Sequence, residues 1–354
     1  KVEEYTVGGK KRFHWAPAEV VEAVAYDTPI PGFDTYNCLN IRLWSSRPPK
    51  EFDLDSFSRG DYYKAVEEKQ QSENITHVLY PNDNTQVGKE LRLKQQYFFV
   101  SASLQDILRR FKRSERAIDD LPLMAAIQLN DTHPTLGVPE LMRLLVDEEG
   151  LEWDRAWHIT TKVYAYTNHT VLPEALETWP VGMMEHLLPR QMRIIFDINA
   201  YFLSQVERRW PGDIDRLRRM SIIEEGYNRK VRMANLAIVA SHAVNGVAAI
   251  HTEIIKTRVF PDFYQMWPHK FQNKTNGITP RRWIGQANPT LSATLTKWLK
   301  GDEWLVDLGR LRELLPRADD EQLQAEFAHA KLVNKRRLTQ WVVDNVGVEG
   351  INPE

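Results

Sequence analysis

Short apolar runs that end in polar turns recur along the chain, and they predict an α/β fold. The clearest run covers residues 125–129, which read as a buried strand and give way at once to the polar residues 130–133. A helix is predicted just afterwards, beginning near Pro139. A strand, a turn and a helix in this order place the turn at the carboxyl edge of a sheet, where α/β folds bind ligands. Asp131 and His133 are therefore candidate ligand-binding residues, although a structural interpretation, in which Asp131 caps the turn and His133 packs beside it, is equally open.

Two further apolar segments are predicted to end in polar turns: residues 163–167 in 168–170, and residues 236–240 in 241–247. Residues 271–280 are a fourth turn-rich segment, so the four turns are predicted to lie at strand ends. The four turns hold Asp131, His133, His169, Asn245 and Asn276. Amide and imidazole groups donate and accept hydrogen bonds, as the hydroxyls of a neutral sugar also do. The turns hold few Arg and Lys residues, which a charged ligand would require. The pattern therefore favours a sugar-binding cleft.

Elsewhere the pattern predicts mainly helix. The helical segments are residues 52–68, 88–113, 153–162, 184–208 (with its effective start at Pro189) and 301–354. Strands are predicted at residues 20–25, ended by a turn at 27–32, and at residues 40–44. Ser103 is a candidate cap for the second half of its helix. In the last helical segment the predicted buried positions are Leu323, Phe327, Leu338 and Trp341.

Composition limits the class of protein. The chain has 354 residues, enough for one large or two smaller domains. An apolar share of 42% and a charged share of 27% are typical of a globular protein with a sizeable core. The formal net charge of −2 lacks the basic excess of a general nucleic-acid binder. No stretch reaches the roughly 18 uninterrupted apolar residues of a membrane helix. We therefore expect a cytosolic protein with no nucleic-acid or membrane partner.

Several chemistries lack their sequence motif. Cys38 is the single cysteine, which excludes internal disulfides and multi-cysteine metal sites, and we expect it to be a small buried residue. There is no Gly-x-Gly-x-x-Gly, no phosphate loop, no His-Glu-x-x-His and no Gly-x-Ser-x-Gly, so no metal site is predicted. A pair of glycosidase carboxylates stays open, because Asp131 could pair with any distant acid.

Longer motifs resemble those of the α-glucan (glycogen, starch and maltodextrin) phosphorylases. They cover residues 80–84, 88–95, 130–134, 166–174, 241–247 and 271–283, and the resemblance runs in order from about Tyr26 to the end of the chain. It implies an α/β, two-domain glycosyltransferase of Rossmann-like domains (GT-B type). Residues 1–279 would form the later part of an elaborated N-terminal domain, and residues 280–354 would begin the C-terminal domain.

The same resemblance implies an enzyme that transfers glucose to phosphate. Inorganic phosphate cleaves the terminal α-1,4-linked glucose of a glucan, and glucose 1-phosphate is released with retained configuration. The implied cofactor is pyridoxal 5'-phosphate, whose own phosphate group exchanges a proton with the substrate phosphate. The implied partners are the α-1,4-glucan, inorganic phosphate and a second subunit in a homodimer.

Site residues are implied by the matching motif positions. His169 and Asn276 resemble the pair that binds the glucose 6-hydroxyl, and the main-chain carbonyl of His169 would face the positive charge that develops on the sugar ring. Asp131 and His133 match residues beside the anomeric carbon. Val247 matches a wall of the glucose site.

Other positions match parts of the family outside the glucose pocket. Trp283 matches an aromatic residue near the cofactor. Asp119 is the one match in the active-site gate, because residues 111–125 form a shorter segment than in the animal enzymes. Glu225 matches the surface storage site for glucan, where Arg229 stands in place of the lysine of animal enzymes.

The phosphate-facing half of the family's active site has no match here. The cofactor lysine, the phosphate-binding arginine and lysines, and a glycine-rich loop are all expected beyond the two ends of this chain. We therefore expect the chain by itself to be inactive. The alternatives are a non-catalytic glucan-binding protein and a glycosidase-like enzyme.

Overall fold

In a computed structural model of the chain, the described residues are 1–8, 10–16, 19–50, 52–348 and 350–353. They belong to two compact units, which meet in sequence between Thr275 and Asn276. None of the described helices is long and apolar enough to cross a membrane. The assignment of residues 1–279 and 280–354 to the two domains of the family stays a prediction.

The strands of the first unit form three antiparallel groups and one parallel sheet. Their bounds are β1 (Val2–Val7), β2 (Lys10–Trp15), β3 (Glu22–Pro31), β4 (Cys38–Arg47), β5 (Ile127–Asn130), β6 (Tyr164–Thr167), β7 (Thr178–Pro180), β8 (Ile223–Glu224), β9 (Lys230–Arg232), β10 (Ala243–Gly246) and β11 (Phe271–Asn273). The strands β1–β2 and β3–β4 pair as ribbons, and β7, β9 and β8 form a small sheet. The strands β11, β10, β6 and β5 pair in parallel in that order.

The parallel sheet separates an apolar face from a polar one, because successive side chains of a strand point to opposite faces. Leu129, Tyr166 and Val244 occupy neighbouring register positions and are buried in the core. Gln128 and Thr167 lie on the other face, and the two side chains share a hydrogen bond of 2.8 Å. The predicted strands at 125–129 and 163–167 are thus confirmed as β5 and β6.

The described helices belong to both units. They are α1 (Leu54–Ser58), α2 (Lys64–His77), α3 (Gln86–Lys112), α4 (Leu121–Met124), α5 (Gly137–Arg143), α6 (Trp153–Val163), α7 (Val181–Leu187), α8 (Pro189–Arg209), α9 (Ile214–Met220), α10 (Met233–Ala240), α11 (Ala249–Ile254), α12 (Pro261–Met266), α13 (Pro289–Leu299) and α14 (Glu321–Val346). Five-residue or six-residue π-helical segments follow α5, follow α11 and precede α13. The predicted helices at 88–113, 153–162 and 184–208 are confirmed, the last with its start at Pro189.

The apolar run at residues 236–240 is not a strand. It belongs to α10, in which every residue from Met233 to Ala240 is buried. A helix that is apolar on all sides has no helical periodicity in its sequence, so a short buried helix and a buried strand read alike. The polar residues that follow it form β10 itself. The prediction of four turns that each follow a strand is therefore wrong at this position.

The β3–β4 ribbon also departs from the prediction. The turn predicted at residues 27–32 is wrong, since β3 continues to Pro31 and pairs with β4 along its whole length. A two-stranded ribbon has a free edge on each strand, where proline is tolerated. Cys38, predicted to be buried, is exposed because it begins β4 beside the turn that joins the two strands of the ribbon. Ser103 does not cap a helix: α3 is continuous, and the Ser103 hydroxyl donates to the Phe99 carbonyl at 2.7 Å.

In the second unit, α14 packs against α13 through few side chains. Ala330 is its buried residue, and Glu326 accepts hydrogen bonds from Lys297 and, at 2.9 Å, from the Trp298 indole. The prediction of a buried face at Leu323, Phe327, Leu338 and Trp341 is wrong for the last three, which are exposed. The segment predicted as helix at residues 52–68 is divided between α1 and α2.

Candidate functional site

The ends of three parallel strands bring the predicted turn residues of the first unit to one edge of the sheet. The register pairs Asn130 with Thr167 and Thr167 with Asn245, so β5, β6 and β10 end at the same level. Main-chain hydrogen bonds continue this pairing past the strand ends, since the Asp131 N–H donates to the Thr167 carbonyl at 2.9 Å. The Asn168 N–H donates to the Asn245 carbonyl at 3.0 Å. The structure thereby places the turns at 131–133, 168–170 and 246–247 beside one another.

Asp131 follows β5 directly in a left-handed backbone conformation, with φ of 60°. Asp and Asn are the non-glycine residues that adopt this conformation most readily. The Oδ1 atom accepts a hydrogen bond from the Thr132 N–H at 2.7 Å, and Oδ2 accepts one from the Thr170 hydroxyl at 3.4 Å. The carboxylate therefore caps the turn, as the structural interpretation holds, and it is also only half-buried.

Asp131 and His133 line a cavity of about 380 Å³ at this strand end. Opposite charges are paired around it: Arg92 lies 3.0 Å from Asp83 and 3.7 Å from Glu177. The Tyr80 ring borders the His133 ring edge-on, with 5.8 Å between their centroids. A small polar cavity whose charges are largely compensated suits a neutral hydroxylated ligand better than an anion.

Glu177 was not singled out by the sequence, although it lines the same cavity. Its Oε1 atom accepts from the Thr132 hydroxyl at 3.2 Å and its Oε2 atom from the Gln96 amide at 2.9 Å. These bonds connect α3 to the turn after β5. The sequence offers little indication of this role, because Glu177 lies beyond the turn that follows β6. It reaches the cavity through the tertiary fold.

His169, on the neighbouring turn, is exposed and does not line that cavity. Its Nε2 atom lies 2.6 Å from the Asn130 side-chain oxygen, which can only accept, so Nε2 carries the proton. The neutral ring then keeps Nδ1 as an acceptor. Beside it, a row of hydrogen bonds at 2.8 Å runs from Gln128 through Thr167 to Asn245 across the polar face of the sheet.

Val247 and Asn168 are joined by a buried histidine that the sequence did not single out. The Val247 N–H donates to His251 Nδ1 at 3.0 Å, and His251 Nε2 lies 3.1 Å from Asn168 Oδ1. The Asn168 amide donates to the Tyr166 hydroxyl at 3.0 Å. Burial lowers the pKa of His251, and the nearby His169 lowers it further. Burial also raises the pKa of Tyr166.

The remaining predicted site residues of the first unit lie apart from this edge. Asp119 pairs with Arg155 on the surface, and that hydrogen bond lowers the pKa of Asp119. Glu225 and Arg229 are exposed in the loop between β8 and β9. The guanidinium of Arg229 lies 5.8 Å from the centre of the Phe196 ring. Their roles at a gate and at a storage site stay predictions.

Asn276 and Trp283 belong to the second unit, where both side chains are exposed. Trp283 offers the open face of an indole, 61% exposed, against which a planar ring could stack. Lys270, in the first unit, has its pKa lowered to about 8 by burial. Its ammonium is engaged, however, with the carbonyls of Ile238 and Val239 at 3.2 and 3.4 Å. Trp283 thus offers a planar cofactor one exposed aromatic face, and the Lys270 ammonium is already hydrogen-bonded.

Two other observations limit the chemistry of the described residues. They contain no group of three or more His, Cys, Asp or Glu side chains arranged to hold a metal ion. A larger cavity of about 1510 Å³ is lined by the β3–β4 ribbon, α3 and the start of α8. None of the predicted site residues lines it, so volume alone does not identify the functional site.

Comparison with known proteins identifies the family of the chain. A family model described as carbohydrate phosphorylase matches residues 1–354. The chain is 58% identical to glycogen phosphorylase 2 of Dictyostelium discoideum over 94% of its own length and 34% of that protein. It is 52% identical to the muscle form of sheep (Ovis aries) glycogen phosphorylase over 99% of the chain and 42% of that protein. Glycogen phosphorylase of Saccharomyces cerevisiae is 53% identical over 98% of the chain and 39% of its own length. The chain therefore spans between a third and a little over two fifths of the relatives it matches.

Proposed function

Because this chain belongs to the carbohydrate phosphorylase family, we propose that the protein carrying it is an α-glucan phosphorylase of the glycogen phosphorylase type. The fold proposed for the whole protein is a pair of Rossmann-like domains (GT-B type). Residues 1–279 belong to the first and residues 280–354 to the second. The parallel sheet and mixed α/β architecture of the first unit support this assignment.

The proposed reaction exchanges one bond at the anomeric carbon. An oxygen of inorganic phosphate bonds to that carbon, the α-1,4 glycosidic bond breaks, and the departing 4-oxygen receives a proton. Configuration is retained. Pyridoxal 5'-phosphate, held largely by residues outside this chain with Trp283 as one aromatic neighbour, supplies the proton exchange through its phosphate group.

The chain's own residues bind and orient the sugar. His169 accepts a hydrogen bond from the glucose 6-hydroxyl at Nδ1, because its Nε2–H is bound to Asn130. Asn276 is proposed to bind the same hydroxyl on its resemblance to the family motif. The His169 carbonyl and the Asp131 carboxylate place negative potential near the sugar ring, where positive charge develops. His133 and Val247 shape the pocket on either side.

The observation that carries the proposal is the common strand edge. Asp131, His169 and Val247 follow three neighbouring parallel strands, and a largely charge-compensated cavity opens beside the first of them. We also propose a homodimer in the cytosol, by analogy with the family, and a second glucan-binding surface at Glu225 and Arg229.

The test is phosphorolysis of glycogen by the purified protein, measured as glucose 1-phosphate released with and without inorganic phosphate. We expect release only with phosphate, and a loss of about tenfold or more in kcat/KM for His169→Ala, because a sugar hydrogen bond is removed. His329→Ala, at an exposed histidine of the second unit, is the matched control. Sugar released by water regardless of phosphate would favour a glycosidase-like enzyme. Glucan binding without turnover would favour a non-catalytic binding protein.

A separate measurement concerns the chain alone. The purified 354-residue chain should release no glucose 1-phosphate from glycogen and phosphate, since the cofactor lysine and phosphate-binding side chains are expected elsewhere in the protein. Release of glucose 1-phosphate by this chain would contradict that expectation without affecting the family assignment.

A further inference from the structure

His251 lies between the two turns that carry His169 and Val247. It is on α11, and its imidazole is 8% exposed. Its Nδ1 atom accepts from the Val247 N–H at 3.0 Å, so Nδ1 carries no proton. The other nitrogen, Nε2, must then carry the proton of the neutral ring, and it donates to Asn168 Oδ1 at 3.1 Å. The two hydrogen bonds together fix both the tautomer and the orientation of the ring.

The partner of His251 is equally constrained. Asn168 is completely buried, and its amide nitrogen donates to the Tyr166 hydroxyl at 3.0 Å. Its main-chain N–H donates to the Asn245 carbonyl on the adjacent strand. Asn168 immediately precedes His169, so a shift of the Asn168 main chain moves the main chain that carries His169.

The helix that carries His251 is itself held tightly against β10. A Cβ atom at Gly246 would lie 2.6 Å from the Thr252 hydroxyl and 3.0 Å from Thr252 main-chain atoms. The Thr252 hydroxyl also bonds Asn273 Oδ1 at 2.9 Å, which connects α11 to β11. His251 therefore projects from a rigid support. Its two hydrogen bonds connect this support to Val247 in one turn and to Asn168 in the other.

We infer that His251 is a positioning residue for the sugar site, which in its neutral Nε2–H form holds the turns at 168–169 and 246–247 at a fixed separation. The inference rests on the proposed function, because those turns present His169 and Val247 to glucose. His251 does not touch the sugar in this scheme. It acts through Asn168 on one side and through the Val247 main chain on the other.

Three substitutions separate the two hydrogen bonds. His251→Gln keeps a donor near Nε2 and the bond to Asn168, whereas His251→Asn keeps an acceptor near Nδ1 and the bond to Val247. His251→Leu removes both. His242→Leu, at an exposed histidine just before β10, is the matched control. Each variant is made in the protein that contains this chain, and KM for glucose 1-phosphate, kcat and Tm are measured for synthesis on glycogen.

We expect KM for glucose 1-phosphate to rise about tenfold in His251→Leu, by the loss of well-placed sugar contacts. His251→Gln should restore most of the wild-type KM, His251→Asn should restore less, and His242→Leu should not change it. In a His169→Ala background the effect of His251→Leu should fall to less than half, because both changes act through one sugar contact.

Two results would overturn the inference. One is an unchanged KM in all three His251 variants. The other is an equal loss in all three that follows the fall in Tm, which would show a packing role only. If the unmodified protein carries out no phosphorolysis, the proposed function fails instead. Glucose binding by the same variants, measured by calorimetry, then decides whether His251 positions a sugar site.

Discussion

The two sides of the strand edge have similar sequences and different environments. The open side, formed by Asp131 and His133 after β5, is half-buried and has a left-handed backbone, with contacts of 3.4 Å from Thr170 and Tyr80. The buried side, formed by Asn168, Gly246 and His251, is held by three hydrogen bonds of 3.0 or 3.1 Å. The residues that follow the two strands are alike: Asp131, Thr132 and His133 follow β5, and Asn168, His169 and Thr170 follow β6.

The two sides differ in what their side chains contact. Side chains on the open side face the cavity and are free to contact a ligand, while those on the buried side fix the main chain from which His169 projects. Residues adjacent in sequence can lie on different sides, since Asn168 is completely buried and His169 is exposed. Substitutions on the buried side should therefore affect stability first, and those on the open side should affect ligand binding first.

The largest effect on stability is expected from Asn168→Ala. The His251 Nε2–H and the Tyr166 hydroxyl would both lose a buried partner, at about 1–3 kcal/mol each. We expect a fall of about 3 kcal/mol in the free energy of unfolding, measured by urea denaturation. Asn130→Ala is the matched control, because Asn130 is exposed and its side chain bonds the exposed His169 ring. Equal effects of the two substitutions would remove the distinction between the sides.

Gly246→Ala should destabilise the protein by about 2 kcal/mol, because the added methyl meets main-chain atoms of Thr252 that cannot rotate away. Gly182→Ala makes the same chemical change in α7, where nothing lies within 4 Å of the new methyl. That control should be neutral or stabilise the protein by up to about 1 kcal/mol. Thermal unfolding of the pair measures the difference. A stable Gly246→Ala variant would mean that α11 can move away from β10.

Asp131→Asn tests the open side. Asparagine tolerates the left-handed backbone and keeps an acceptor for the Thr132 N–H, so the free energy of unfolding should change by less than about 0.5 kcal/mol. Loss of the negative charge should nevertheless lower kcat for glycogen phosphorolysis several-fold. Circular dichroism melting and the phosphorolysis assay together separate the two effects. A large loss of stability would instead assign Asp131 mainly to the turn.

The smallest effect is a pH dependence on the buried side. Because the folded-state pKa of His251 lies below its ordinary value of 6.5, the unfolded chain binds its proton more readily. The stability that depends on neutral His251 is fully present above pH 6.5 and decreases as pH falls from 6.5 to the folded pKa. His251→Gln should remove this part of the pH dependence, as measured by urea denaturation between pH 5 and pH 8. An unchanged profile would show that another group produces it.

The sequence predicted much of the fold wherever one periodicity was strong. Helices α3, α6 and α8 have amphipathic patterns, and residues 125–139 show a strand, a turn and a helix in order. The wrong predictions arise where the burial of a residue depends on neighbouring elements, which the local pattern of apolar residues does not reveal. The run at 236–240 is buried on all sides and reads as a strand, whereas Cys38 lies at the exposed turn end of a ribbon. Trp341 lies on a helix face that its own unit leaves uncovered.

For the site, the sequence by itself determined the family and the residue types at the strand ends, because long motifs and polar turns are local in the chain. Only the tertiary structure decided which of these residues face the cavity and which are buried. Asn168 is buried because α11 brings His251 against it from 83 positions away. Glu177 and Arg92 reach the cavity after β5 from a separate strand group and a separate helix. Contacts of this kind depend on how distant elements pack, which no local pattern of apolar and polar residues contains.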